Sequence, residues 1–178
     1  MPDKVQRYAF TVTYPVRTSV IATKIEIQPC QLLMKSNLHM QARAVWDTGA
    51  TRSVISSRLV EALELIPIGI TQVSGVHGTM NCSNYLVDVL LPNQVMIQQV
   101  SVIESADIPF DVLVGMDIIG LGDFTICNAT NQTKFTFQIP STHETDYVSE
   151  INDSNKKKDR LKKTTTDDIK AFLAKRRK

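Results

Sequence analysis

Long apolar runs, paired cysteines and aromatics are all scarce in this 178-residue chain, and each scarcity excludes something. No stretch approaches the 18 or so consecutive apolar residues that a membrane-spanning helix requires. The first residues lack the basic-then-apolar pattern of a secretory leader. Cys30, Cys82 and Cys127 make an odd count without CxxC spacing, so neither a disulfide framework nor a zinc site is indicated. The expectation is a soluble, cytoplasmic protein with reduced thiols, in which the Asn-x-Ser/Thr triplets at Asn81, Asn128 and Asn131 carry no glycan. No cofactor and no metal are expected.

The formal net charge of +2 hides an asymmetry. From Lys156 to Lys178 there are 11 Lys and Arg against 3 Asp, a local +8, which leaves −6 for residues 1–155. An acidic body with a basic tail is the better description, and only the tail has a composition that attracts polyanions. Its one aromatic, Phe172, and the lack of a base-reading motif argue against nucleic acid as a partner.

The Val, Ile and Leu residues concentrate in the first three quarters of the chain, broken by Pro and Gly every dozen or so positions, a pattern of strands rather than helices. Alternating polarity predicts strands over Tyr8–Thr13, Val20–Ile27 and Gln41–Trp46. Ser56 or Ser57 is placed to cap a short helix carrying Leu59, Val60 and Leu63 on one face, with Pro67 ending it. A hairpin follows, tipped by Gly75-Val76-His77-Gly78; its returning strand puts Tyr85, Val87, Val89 and Leu91 on one face, and Leu91 to Gln94 turn the chain into the next strand of a meander. Val112 to Val114 read as a strand ending at Gly115, then a helical turn over Met116–Ile119 and a last hairpin of Phe124–Cys127 with Lys134–Ile139. The domain is expected to span residues 1–140, followed by a polar linker over 141–163 and a basic tail over 164–178 containing a marginal helix.

Asp47-Thr48-Gly49 carries the most chemistry. Hydrolysing a peptide bond without a metal or a covalent intermediate takes a base to accept a proton from water and an acid to protonate the carbonyl oxygen. Two neighbouring carboxylates sharing one proton supply both. Here an apolar strand presents Asp47, a β-branched hydroxyl residue follows, and Gly49 lets another backbone approach. Taken alone, the tripeptide also suits an ordinary turn in which Asp accepts local N–H groups.

Three features together resemble the retropepsin family, the single-domain retroviral-type aspartic peptidases and their bacterial relatives. These are Val45-Trp46-Asp47-Thr48-Gly49-Ala50 with Ser53-Val54-Ile55 after it, the glycine-tipped hairpin Gly75 to Gly78, and Val112-Leu113-Val114-Gly115-Met116-Asp117, in family order over about Ile21 to Pro140. The resemblance implies an all-β fold, a small closed barrel with one or two short helices, in which Val112–Gly115 threads beside the active-site loop. It further implies a homodimer with its two-fold axis between two copies of Asp47. Asp47, Thr48 and Gly49 would then be catalytic, with Ala50, Gly75, Val76, His77 and Gly78 binding a peptide or protein substrate under a mobile flap.

Departures from the family pattern carry expectations too. Thr51-Arg52 stands where retroviral members usually have Asp, His77 sits where small or apolar residues are common, and Asp117 reads as a helix-start residue. Ala50 has no hydroxyl to stabilise an ionised pair, which points to a pH optimum nearer neutrality. Asp88, Asp107, Asp111, Asp117 and Asp123 all lack a following Thr-Gly or Ser-Gly, so the second carboxylate must come from a second copy. The competing reading is a non-catalytic dimerisation or peptide-binding module on the same fold.

Overall fold

The computed structural model describes residues 5–75, 78–106 and 108–175, which form ten strands and three helices. One compact unit runs to Thr142 and a second from His143.

In the first unit, β1 (Tyr8–Tyr14) leaves the region of β2 (Ala22–Pro29) to pair with β10 (Thr133–Ile139), which also pairs antiparallel with β9 (Asp123–Cys127). The larger sheet contains β3 (Met40–Trp46), β4 (Val54–Ser56), β5 (Gly69–Gly75), β6 (Gly78–Leu90), β7 (Met96–Ser105) and β8 (Val112–Val114), in the order β2-β3-β8-β4-β7-β6-β5. An additional antiparallel pairing of β2 with β6 closes this sheet on itself and leaves β5 outside the ring as an edge. Closure removes two open edges and encloses a core of alternate inward residues. Ile25, Ile27, Ala42, Ala44, Val87, Val89, Val112 and Val114 belong to it, all 3% exposed or less.

A cluster of rings joins the two sheets. Trp46 at the end of β3 lies 5.0 Å from Phe135 and 5.0 Å from Phe137 on β10, and 6.0 Å from Phe10 on β1, centroid to centroid. Tilted rings at such spacing add about 1 kcal/mol per pair beyond their burial. Trp46 Nε1 donates to buried Thr23 Oγ1 at 2.9 Å, which fixes the strand end that carries Asp47.

Helix α1 (Ser57–Ala62) is capped by Ser56, whose Oγ accepts from Leu59 N, and it buries Leu59 and Val60. It ends before Pro67, the predicted stop: Glu64 takes a left-handed φ of 51°, so the backbone has turned out of the helix three residues earlier. Asp88 is a buried acidic residue of this unit. Its carboxylate accepts Gln31 N at 3.1 Å and Gln99 N at 2.9 Å beside the bulge between Val87 and Val89, an internal brace.

In the second unit, residues 147–163, expected to be linker, are helical. They form α3 (Tyr147–Lys175) together with the residues of the expected marginal helix up to Lys175. The expectation weighed apolar burial, but a helix satisfies its backbone internally, and Lys and Arg are good helix formers. Asp146 Oδ1 caps it by accepting Val148 N at 2.9 Å and Ser149 N at 3.1 Å. Residues 147–163 are all exposed. No helix among the described residues is long and apolar enough to cross a membrane.

Candidate active site

Asp47 follows β3 directly, and its position is set from the chain on either side and from β8. β3 and β8 are parallel neighbours, with Trp46 opposite Val114, and Asp47 N donates to Val114 O at 3.0 Å. Gly49 N donates to Asp47 Oδ1 at 2.8 Å, an Asx turn that fixes the carboxylate's direction. Asp47 is half-buried, while Thr48 and Gly49 are exposed.

Two loops cross at this point. Met116 N donates to Ala50 O at 2.8 Å, and Gly115 N donates to Ser53 Oγ at 3.0 Å. Ser53, fully buried, donates in turn through its Oγ to Asp117 Oδ1 at 2.7 Å, and its N donates to Asp117 Oδ2 at 2.9 Å. A Cβ on Gly115 would lie 2.6 Å from the carbonyl carbon of Arg52 and 2.7 Å from its oxygen, so only glycine allows the crossing. Asp117 lies in the first turn of helix α2 (Met116–Ile119), as the sequence suggests, but its carboxylate also ties the two loops together. That second role was missed; a Ser six residues after Asp47 and an Asp two after Gly115 are the only sequence signs of it.

Asp47 and Thr48 open onto a hollow of about 350 Å3 whose other walls include Trp46, Phe110, Leu113, Phe124 and Ile126. Phe110 is held there through its neighbour Asp111. Burial acts to raise the Asp111 pKa, but the Arg43 amide at 2.8 Å and the Arg58 guanidinium outweigh it and hold the carboxyl below its ordinary range.

The hairpin residues fall elsewhere. Gly75 closes β5 opposite Gly78, which opens β6 with φ 108°, a conformation glycine adopts freely. Val76 and His77, expected at the tip, lie outside the described residues. Gly78 lines a second hollow of about 540 Å3 with Val54, Val73, Met80 and Ile103, and no described contact joins Gly78 to Asp47. Tyr85 O–H donates to Glu104 Oε2 at 2.8 Å on the edge of this hollow; burial first, and then the Glu104 carboxylate, push the Tyr85 pKa upward.

Residues 36–118 match the family model described as aspartyl protease, a span that contains Asp47-Thr48-Gly49, the hairpin and the Gly115–Asp117 crossing. Over that span the chain resembles the retropepsin-like aspartyl protease family.

Among solved structures, this retropepsin-like chain is similar to a retropepsin-like aspartic protease from Rickettsia conorii, with 8% identity over 76% of this chain and 97% of that one and a TM-score of 0.47. It is also similar to EIAV protease complexed with the inhibitor HBY-793, at 22% identity over 61% and 92% with a TM-score of 0.45. The simian foamy virus (mac) protease follows at 17% identity, 55% and 92%, and a TM-score of 0.38. The resemblance to the family rests on the match over residues 36–118 rather than on these likenesses. No curated protein matches the chain.

Proposed function

We propose that this retropepsin-like chain is an aspartic endopeptidase whose centre is a pair of Asp47 carboxylates, one from each subunit of a homodimer. The observation that carries the reading is Asp47 itself. Its amide and carboxylate are both tied down, and it faces an apolar hollow at the crossing of two loops. A rigid carboxylate beside apolar walls suits general acid–base work on a bound peptide.

Two features support pairing with a second copy. The wall beside Thr48 carries Phe124 and Ile126, 37% and 46% exposed, on β9. Strand β9 pairs with β10 on one side and is the outer strand of its sheet on the other, an open edge of the kind that takes another chain. In the dimer, the ionised carboxylate takes a proton from water as the water oxygen attacks the carbonyl carbon. The protonated carboxyl gives its proton to the carbonyl oxygen, and collapse of the resulting gem-diol returns a proton to the departing amine. Thr48 and Gly49 hold the loop, Ala50 borders it, and the hairpin from Gly75 through Val76 and His77 to Gly78 covers the substrate.

The test is cleavage of a denatured protein by wild type and by Asp47→Asn, with and without a pepstatin-type inhibitor, over a dilution series. Expected are inhibitor-sensitive fragments from wild type only, with specific activity falling as the protein is diluted below its dimer dissociation constant. Absence of cleavage from pH 4 to 8 would favour the non-catalytic module, and activity independent of concentration would remove the shared dyad.

A further inference from the structure

Arg52 stands between the active-site loop and the hairpin, and its charge is unanswered. The side chain is half-buried, and its Nη2 donates to Ser101 Oγ at 2.6 Å. Its other contacts, to Ser101 O and from Nη1 to Thr71 Oγ1, are both 3.5 Å long, at the limit of a hydrogen bond. All these acceptors are neutral, and among the described residues no carboxylate pairs with Arg52. A guanidinium offers five donors in a planar fork matched to a carboxylate, so one short bond leaves most of that capacity unused. Partial burial without a counter-charge is costly and is relieved when an anion arrives.

Its surroundings say where such an anion comes from. Side chains two apart on a strand share a face. Thr71 therefore lies on the face of Val73, and Ser101 on the face of Ile103, and both Val73 and Ile103 wall the 540 Å3 hollow below the hairpin. The competing acid, Glu104, lies on the edge of the same hollow, but it accepts the Tyr85 hydroxyl at 2.8 Å and no described ion pair joins it to Arg52.

We infer that Arg52 is a specificity-determining residue that binds the carboxylate of an acidic side chain, Glu or Asp, in an extended peptide, whose stem lies along Val73 and Ile103. The inference rests on the peptide groove proposed above and names the substrate class that groove selects.

Two arms test it. In the first, wild type, Arg52→Met and Arg52→Lys cleave a peptide library with amidated C-termini, so that only side chains supply carboxylates. Wild type should enrich Glu or Asp at one fixed position from the scissile bond and prefer Glu over Gln there by roughly tenfold to a hundredfold in kcat/KM, the range of a charge-assisted hydrogen bond. Arg52→Met should abolish the preference, and Arg52→Lys, which keeps charge but loses the fork, should restore part of it. In the second arm, Asp47→Asn protein, with and without Arg52→Met, binds matched fluorescent Glu and Gln peptides, and only the protein with Arg52 should discriminate.

Cleavage without acidic preference, or preference surviving in Arg52→Met, overturns the inference and leaves the peptidase reading standing. Discrimination in binding without any cleavage by wild type does the reverse. A requirement for a free C-terminus instead of an acidic side chain overturns the stated source of the carboxylate, and no discrimination in either arm overturns the inference.

Discussion

The loop that holds Asp47 and the hairpin that ends at Gly75 and Gly78 are built on opposite plans. The loop is tied by contacts that are distant in sequence: Asp47 to Val114, Ala50 to Met116, and Ser53 to Gly115 and Asp117. Among the described residues strand β5, by contrast, has a strand partner only in β6, its neighbour in the chain, meets the loop through the 3.5 Å contact of Arg52 with Thr71, and carries Ile70 at 76% exposure opposite a strand with Met80 at 63%. Interactions that converge from several elements keep a group in one geometry, whereas a hairpin held by its own ladder opens at low free energy. On the function proposed above, that contrast suits a fixed acid beneath a movable cover.

The contrast breaks first at Gly115. Replacing it by Ala forces a methyl carbon to within 3 Å of the Arg52 backbone, and overpacking against backbone should cost about 3 kcal/mol or more. Urea denaturation would measure it, and a cost under about 1 kcal/mol would mean that the crossing is looser than described.

Ser53→Ala should cost less, about 2 kcal/mol, because it removes the hydroxyl that links Gly115 N to Asp117 and leaves a buried amide unpaired. Amide exchange should quicken at Gly115 and Asp47 while the β5–β6 ladder is unaffected. Equal quickening in the hairpin would show that the two regions are coupled. Smallest of all, Ile70→Thr on the hairpin should change stability by no more than about 0.5 kcal/mol, since the side chain is exposed and keeps its β-branch.

The strands that carry this site were readable because burial imposes a two-residue period on each. Ile25 and Ile27, Ala42 and Ala44, and Tyr85, Val87 and Val89 are buried on that period. Asp47-Thr48-Gly49 and the paired glycines were readable because turn chemistry is local. Helix α3 was misread in part, since a test for buried apolar residues does not register a helix capped by Asp146 and exposed along residues 147–163.

By itself, then, the sequence determined the strand order along the chain and the acid that faces the hollow. The close backbone approach expected at Gly49 occurs instead at Gly115, since a Cβ on Gly49 would meet Asp47 Oδ1 at 3.2 Å and no second backbone. Only the tertiary structure decided that Ser53 meets Asp117 across 64 residues, that Arg52 turns toward Ser101 and Thr71 with no carboxylate beside it among the described residues, and that β2 closes on β6. Periodicity and turn preference are properties of neighbours in the chain. The partner of a polar side chain is chosen by which loops the packed sheets bring together.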